Sequence, residues 1–122
     1  MITGRFGDMG ELFFEIELLA GNGDILSVEA LLDTGFTTGW LAMNSQDIQY
    51  LEWPLIERTR TMQTARGEEY FDIYAGTIIL DQQQHTIPVV AAEDIPDNLL
   101  GLQWLQTRRL IVDLPSNLLT LG

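Results

Sequence analysis

The sequence predicts an all-β protein, a small closed barrel-like fold with one or two short helices. Apolar and polar residues alternate with the two-residue period of a β-strand along most of the chain. Turn-forming residues separate the alternating segments, and only two segments depart from the strand period. The length of 122 residues and a hydrophobic content of 46% predict one packed core, so we expect a single domain over residues 1–122.

The first strand pair is predicted in "ELFFEIELLAGNGDILSVEALLD". Every second residue over 14–18 is apolar, and the same is true over 26–32, so each strand has one apolar face. Asn22 and Gly23 lie between the two strands, and we expect both to supply the positive backbone angles of a tight hairpin. This hairpin ends at Asp33.

The middle of the chain predicts one helix followed by strands. In "MNSQDIQYLEWP", Asn44 or Ser45 can cap a short helix, and Pro54 ends it. "TRTMQTARGEEYFDIYAGTIIL" has two strand-like arms around "ARGE", and "HTIPVVAAEDI" is a further strand.

The C-terminal part predicts a second helix and two last strands. "NLLGLQWLQTRR" is apolar at helical spacing, with Asn98 as its cap. "LIVDLPSNLLTLG" reads as two short strands around Pro115 and Asn117. Asp113, in the first of them, either pairs with Arg108 or Arg109 or caps the closing turn.

Charge and composition exclude several classes of partner. The formal charge is −12, with six arginines and no lysine, so nucleic acid and anionic membranes would be repelled and neither is expected as a partner. There is no cysteine, and the apolar runs are too short to span a bilayer. We therefore expect a soluble, cytoplasmic protein.

Neither a metal nor a cofactor is expected. With one histidine and no cysteine, a zinc site would need mainly carboxylates, which is poor chemistry for that metal. The clustered acids lack the spacing of a calcium loop, and no serine stands in a G-x-S-x-G context.

Asp33 is the residue that most needs an explanation. It follows the apolar run "EALL" and precedes Thr34 and Gly35. A carboxylate at the end of a buried strand loses hydration, so it is either a turn former or a working group. Asp, Thr and Gly all form turns, and the tripeptide alone leaves both interpretations open.

The segments around Asp33 favour the interpretation that it is a working group. "ALLDTG", the hairpin around "TARGEEY" and "LLGLQWL" follow one another in the order found in the retroviral-type aspartic proteases, the retropepsins, and the chain resembles their single-lobe bacterial relatives over residues 12–121. The loop departs from the usual pattern because Phe36, Thr37 and Thr38 follow it, and the hairpin tip has only one glycine, Gly67.

The resemblance implies a function and a site. Asp33 would be the catalytic acid, Thr34 would brace the loop against a second copy, and Gly35 would keep the backbone small. Catalysis of this type needs two acids that share a proton, and the chain has one such motif and no internal repeat, so the second acid would come from a homodimer.

The resemblance also implies a binding site for an extended peptide or protein substrate. Ala65, Arg66 and Gly67 would form the tip of a mobile flap, and Phe36, Trp40 and Leu99 would be pocket walls. Leu100 and Gly101 are expected to support the loop.

Each of these assignments has an alternative. The hairpin can be an ordinary exposed one, and the three pocket walls can be plain core. A dimeric peptide-binding module on the same fold, with weak or no turnover, is the second interpretation of function. A monomeric structural β domain is the third.

Overall fold

The computed structural model describes all 122 residues. It contains eleven strands, one α-helix and one short 3-10 helix. The strands are β1 (Ile2–Thr3), β2 (Arg5–Phe6), β3 (Leu12–Leu19), β4 (Ile25–Leu32), β5 (Leu41–Asn44), β6 (Leu55–Thr64), β7 (Gly67–Leu80), β8 (Gln83–Ala92), β9 (Asn98–Leu100), β10 (Leu110–Asp113) and β11 (Leu118–Leu121). Helix α1 spans Ser45–Leu51 and the 3-10 helix spans Leu102–Gln106. Neither helix could cross a bilayer as an apolar span.

Six strands close into a barrel. Their order is β3, β4, β9, β5, β8 and β7, and β3 completes the circle because it pairs with β7 as well as with β4. The closing pairs join Glu17, Leu18 and Leu19 to residues 77–79. The predicted all-β, closed barrel-like fold with short helices is confirmed.

The barrel interior is apolar, as the strand period predicts. Phe14, Ile16 and Leu18 are at most 1% exposed, whereas Glu15 and Glu17 between them face solvent. Nineteen buried residues form the main core, which therefore fills the barrel and packs under both helices.

The first hairpin forms where it is predicted, but its turn differs in one residue. Gly23 has a φ of 93°, whereas Asn22 does not adopt a positive φ. Ala20 and Asp24 close the loop by a backbone bond of 2.8 Å, and Gly23 donates to the carbonyl of Ala20 at 3.0 Å. Three residues thus lie between Ala20 and Asp24, and only the last of them, Gly23, needs the left-handed conformation.

Helix α1 begins and ends where it is predicted. Asn44 is its N-cap residue, but the side chain makes no cap hydrogen bond. The amide instead exchanges two hydrogen bonds of 3.2 Å with the backbone of Ile95. Ile48 and Leu51, each 1% exposed, attach the helix to the core.

The predicted second helix is wrong over its first three residues. Asn98–Leu100 is strand β9, parallel to β4 and antiparallel to β5. Asn98 donates its side-chain amide to the carbonyl of Glu29 at 3.2 Å and caps nothing. The backbone of β9 pairs with a strand on each side. This strand pairing outweighs the helical spacing of its apolar residues. Helical structure is limited to the 3-10 turn at 102–106.

The two last strands form as predicted and join the N-terminal strand in a second sheet of order β1, β11, β10. Asp113 accepts a hydrogen bond of 3.3 Å from the N–H of Ser116, so it caps the closing turn. It forms no ion pair with Arg108 or Arg109.

Candidate active site

Asp33 is the first residue after β4, and it is held by backbone and side chain. Its N–H donates to the carbonyl of Leu100 at 2.9 Å, and its own carbonyl accepts the N–H of Phe36 at 3.1 Å. The carboxylate oxygen Oδ1 accepts the N–H of Gly35 at 2.9 Å. The other oxygen, Oδ2, makes no hydrogen bond within the chain. The half-buried carboxylate is therefore oriented and has one oxygen free.

The loop of residues 33–40, the Asp33 loop, is bound along its length by residues 100–104, the bracing segment. Backbone N–H groups of residues 101, 102 and 103 donate to the carbonyls of Trp40, Phe36 and Gly39 at 3.0–3.3 Å. The side-chain amide of Gln103 adds a bond of 2.7 Å to the carbonyl of Thr37. The indole N–H of Trp104 donates to the carbonyl of Trp40 at 2.8 Å. These bonds fix a segment that has no regular secondary structure.

Two glycines make the close approach possible. A Cβ on Gly101 would lie 2.0 Å from the carbonyl oxygen of Gly39 and 2.9 Å from that of Phe36. A Cβ on Gly39 would lie 1.9 Å from the ring of Phe36. Because the obstacles at Gly101 are backbone atoms, no side-chain movement could relieve them. Leu100 and Gly101 therefore support the loop, as expected from the sequence.

Thr34 and Gly35 lie at the exposed tip of the Asp33 loop. The hydroxyl of Thr34 makes no hydrogen bond within the chain. A Cβ on Gly35 would lie 3.1 Å from Oδ1 of Asp33, so a side chain there would crowd the carboxylate.

The hairpin of β6 and β7 has the two-residue turn Ala65 and Arg66, closed by the pair Thr64 and Gly67. Gly67 has a φ of 102°. The side chain of Arg66 is 82% exposed and forms an ion pair of 3.2 Å with Glu69. Glu69 also accepts a bond of 2.6 Å from the hydroxyl of Thr64, so the tip is cross-linked by polar contacts.

An open groove of about 290 Å³ lies between the Asp33 loop and this hairpin. It is lined by Thr37, Thr38, Gly39, Trp40, Arg60, Thr61, Met62, Gln63, Ile73, Pro88 and Val90. Of the residues predicted to bind substrate, Trp40 lines it. Ala65, Arg66 and Gly67, at the hairpin tip, do not.

Phe36 and Leu99 belong to a small apolar cluster at this side of the barrel. Ala42, Ile73 and Val90 are buried at its centre, and two of the three also line the groove. Phe36, Met62, Phe71, Ile95 and Leu99 pack against them and stay partly exposed. The structure thus places Phe36 and Leu99 beside the groove, in partly exposed apolar surface.

The sequence reasoning missed most of the groove. Residues 60–63 of β6 belong to the predicted flap hairpin but not to its tip, and Pro88 and Val90 belong to β8, for which the sequence analysis predicts no role in binding. No sequence pattern marks these residues, because all four of residues 60–63 line the groove and the strand period would place only alternate ones on its face. No group of three or more His, Asp or Glu side chains lies close enough to hold a metal ion.

The fold has known counterparts, although no protein-family model and no curated protein matches the chain. A crystal structure of a retropepsin-like aspartic protease from Rickettsia conorii matches with a TM-score of 0.67 and 22% identity. The match covers 99% of this chain and 88% of that one.

Two viral proteases match less well, each with a TM-score of 0.49. The EIAV protease in complex with the inhibitor HBY-793 is 22% identical, over 75% of this chain and 84% of that one. The protease of simian foamy virus (mac) is 20% identical, over 78% and 98%. The fold assignment rests on the Rickettsia structure: the chain has the retropepsin-like fold.

Proposed function

We propose that the chain is an aspartic endopeptidase that cuts extended, largely apolar peptide segments as a homodimer. The observation that carries the proposal is the placement of Asp33. Asp33 directly follows a barrel strand and lies on a loop that is braced by a second segment. One of its carboxylate oxygens accepts a hydrogen bond and the other is free.

The chemistry requires two carboxyl groups that share one proton. The ionised group takes a proton from a water molecule, whose oxygen attacks the peptide carbonyl carbon, while the protonated group donates its proton to the carbonyl oxygen. Collapse of the resulting diol breaks the C–N bond and transfers a proton to the leaving amine. Two carboxylates close together do not both ionise easily, which is why such a pair can share one proton.

The second carboxyl group would be Asp33 of another copy, related by a twofold axis. The exposed tip of the loop suits such a contact. Thr34 has a hydroxyl free of partners within the chain, and Gly35 has no side chain to separate two loops.

The groove would receive the substrate. An extended peptide between the Asp33 loop and the β6–β7 hairpin could bond to strand backbone, with alternate side chains in pockets. The apolar cluster with Phe36 and Leu99 favours apolar side chains, and Trp40 provides an aromatic wall. Ala65, Arg66 and Gly67 would move as a flap tip over the peptide. We expect this to take place in the cytoplasm, within one domain over residues 1–122.

The test is cleavage of a diverse peptide library, read by mass spectrometry from pH 4 to 7, with the wild type and Asp33→Asn. We expect cuts only from the wild type, most of them under mildly acidic conditions where the pair holds one proton. Asp113→Asn is the matched control, because it makes the same chemical change at a turn cap. Cleavage retained in Asp33→Asn would refute the proposal.

A peptide-binding module is the second candidate. It is favoured by the fact that the groove forms within one chain and that Asp33 is not among the residues that line it. A folded dimer that binds library peptides and cuts none would support this candidate.

A further inference from the structure

A second depression, of about 510 Å³, lies on the other side of Trp40. We call it the Trp–His pocket. It is lined by Trp40, Gln83, His85, Trp104, Thr107 and Arg108, with Gly122 at its edge. Trp40 is the one residue that lines both this pocket and the groove.

The aromatic part of the pocket is rigid. Trp104, 1% exposed, stands between Trp40 and His85 and meets both edge-on, at centroid distances of 4.9 and 5.4 Å. The indole N–H of Trp104 is bonded to the carbonyl of Trp40. The N–H of Arg108 donates to the carbonyl of Trp104 at 3.1 Å, which fixes the backbone from which the guanidinium extends.

Arg108 is the one arginine that is both half-buried and without a carboxylate partner, since the other two unpaired arginines, Arg58 and Arg109, are exposed. The chain has 18 acidic residues and only six arginines, and Arg5, Arg60 and Arg66 each pair with a glutamate. Arg108 is half-buried and pairs with no carboxylate, including that of Gly122. One of its nitrogens, Nη2, lies 3.2 Å from Nε2 of His85.

The nearby acid is engaged elsewhere. Asp81 forms an ion pair with the N-terminal amino group, and that hydrogen bond is the main reason why the pKa of Asp81 is lowered. Arg108 makes only a smaller contribution to that pKa. A guanidinium carries five N–H donors in a planar fork that fits a carboxylate by two parallel bonds, and most of these donors are free in Arg108.

We propose that the Trp–His pocket binds the carboxylate of a peptide. Arg108 supplies the charge and the paired donors, and His85 is the neighbouring group. Trp40 faces the aliphatic part of the ligand, with the buried Trp104 packed behind it, and the side chains of Gln83 and Thr107 add polar contacts at the rim. The binding does not depend on the proposed peptidase activity.

The test is a titration followed by NMR, which the sequence makes simple to read. His85 is the only histidine, so its ring signals are unambiguous, and there are three tryptophans. The probe is acetyl-Ala-Ala with a free carboxyl group. We expect saturable shifts of the His85 ring and of the Trp40 and Trp104 indoles, with a dissociation constant on the order of 1 mM. Trp53, whose indole N–H is bonded to the carbonyl of Leu19, is the internal reference and should not shift.

Three variants and three further probes decide the interpretation. Arg108→Gln should weaken binding about tenfold or more, because a charge-assisted pair is lost. Arg109→Gln removes the same charge from the next, exposed residue outside the pocket and should leave the affinity unchanged. All variants are compared with the wild type by circular dichroism, and His85→Gln, in β8, is a third variant whose binding is followed by the Trp40 indole.

The acetyl-Ala-Ala amide should not bind. Binding of acetyl-Glu amide as well would support the carboxylate site and show that a side chain can provide the ligand. Failure of acetyl-Ala-Ala to saturate, equal losses in the two arginine variants, or binding of inorganic phosphate alone would each overturn the proposal.

Discussion

Replacing Gly101 by alanine should separate the bracing segment from the Asp33 loop. The new Cβ would lie 2.0 Å from the carbonyl oxygen and 2.4 Å from the carbonyl carbon of Gly39. Both are backbone atoms, so the loop and the bracing segment must separate. The N–H groups of Leu102 and Gln103, which donate to this loop, then lose their acceptors.

The expected loss of stability follows from these contacts. Overpacking costs about 1–3 kcal/mol, and two lost backbone hydrogen bonds cost about 1 kcal/mol each. We expect a decrease of about 4 kcal/mol in the free energy of unfolding, out of a total of about 5–15 kcal/mol for a protein of ordinary stability. With a urea m-value of about 2 kcal/mol/M, the midpoint falls by about 2 M.

The assay is urea unfolding at one fixed protein concentration, together with amide exchange at residues 102 and 103. Gly10→Ala is the control, because Gly10 has a φ of 87° and open space around its Cβ position. Its cost should be about 1–2 kcal/mol, from backbone strain alone. If Gly101→Ala is no worse than this control and both amides keep their protection, the bracing segment does not hold the loop.

Two other perturbations concern charge. Because each chain has a formal charge of −12, a homodimer should associate more tightly as carboxylates are protonated, and salt should act in the same direction. Sedimentation that gives one dissociation constant at pH 7 and pH 5 would contradict this. Arg5 lowers the pKa of Glu29 by a two-bond ion pair, so the pair stabilises the fold above the ordinary glutamate pKa of about 4.3 and loses this effect as the pH falls through the lowered pKa. Glu29→Gln, which leaves the contact of Arg5 with the Phe13 ring in place, should therefore lower the melting temperature at pH 7 but not at pH 2, and an equal decrease at both would refute the assignment.

Local sequence predicts the first hairpin, helix α1 and the position of Asp33, because each depends on residues close together in the chain. The alternation from Phe14 to Leu18 allows one buried face, and Pro54 allows no continuation of the helix. The retropepsin-like fold is predicted by the same route, since the segments that carry the resemblance are local motifs in a fixed order.

What the sequence does not predict depends on distant pairing. Leu99 and Leu100 suggest a helix by their spacing, but Leu31 and Leu32, 68 residues earlier, align beside them as a parallel strand. The groove also depends on distant pairing, because Met62 and Val90 lie beside the Asp33 loop only when β6 and β8 are paired in the sheet. The roles of Asp33, Thr34 and Gly35 stay predictions until cleavage is measured.

The pairing of β1 with β11 has a consequence for how the site can be assembled. Ile2 lies opposite Leu121, so the two ends are about 5 Å apart and a few residues could join them. New ends could be opened in the exposed turn at Asp81 and Gln82. In such a circular permutant the bracing segment would precede the Asp33 loop, and the loop should still form, because surface complementarity and not the direction of synthesis brings the two together.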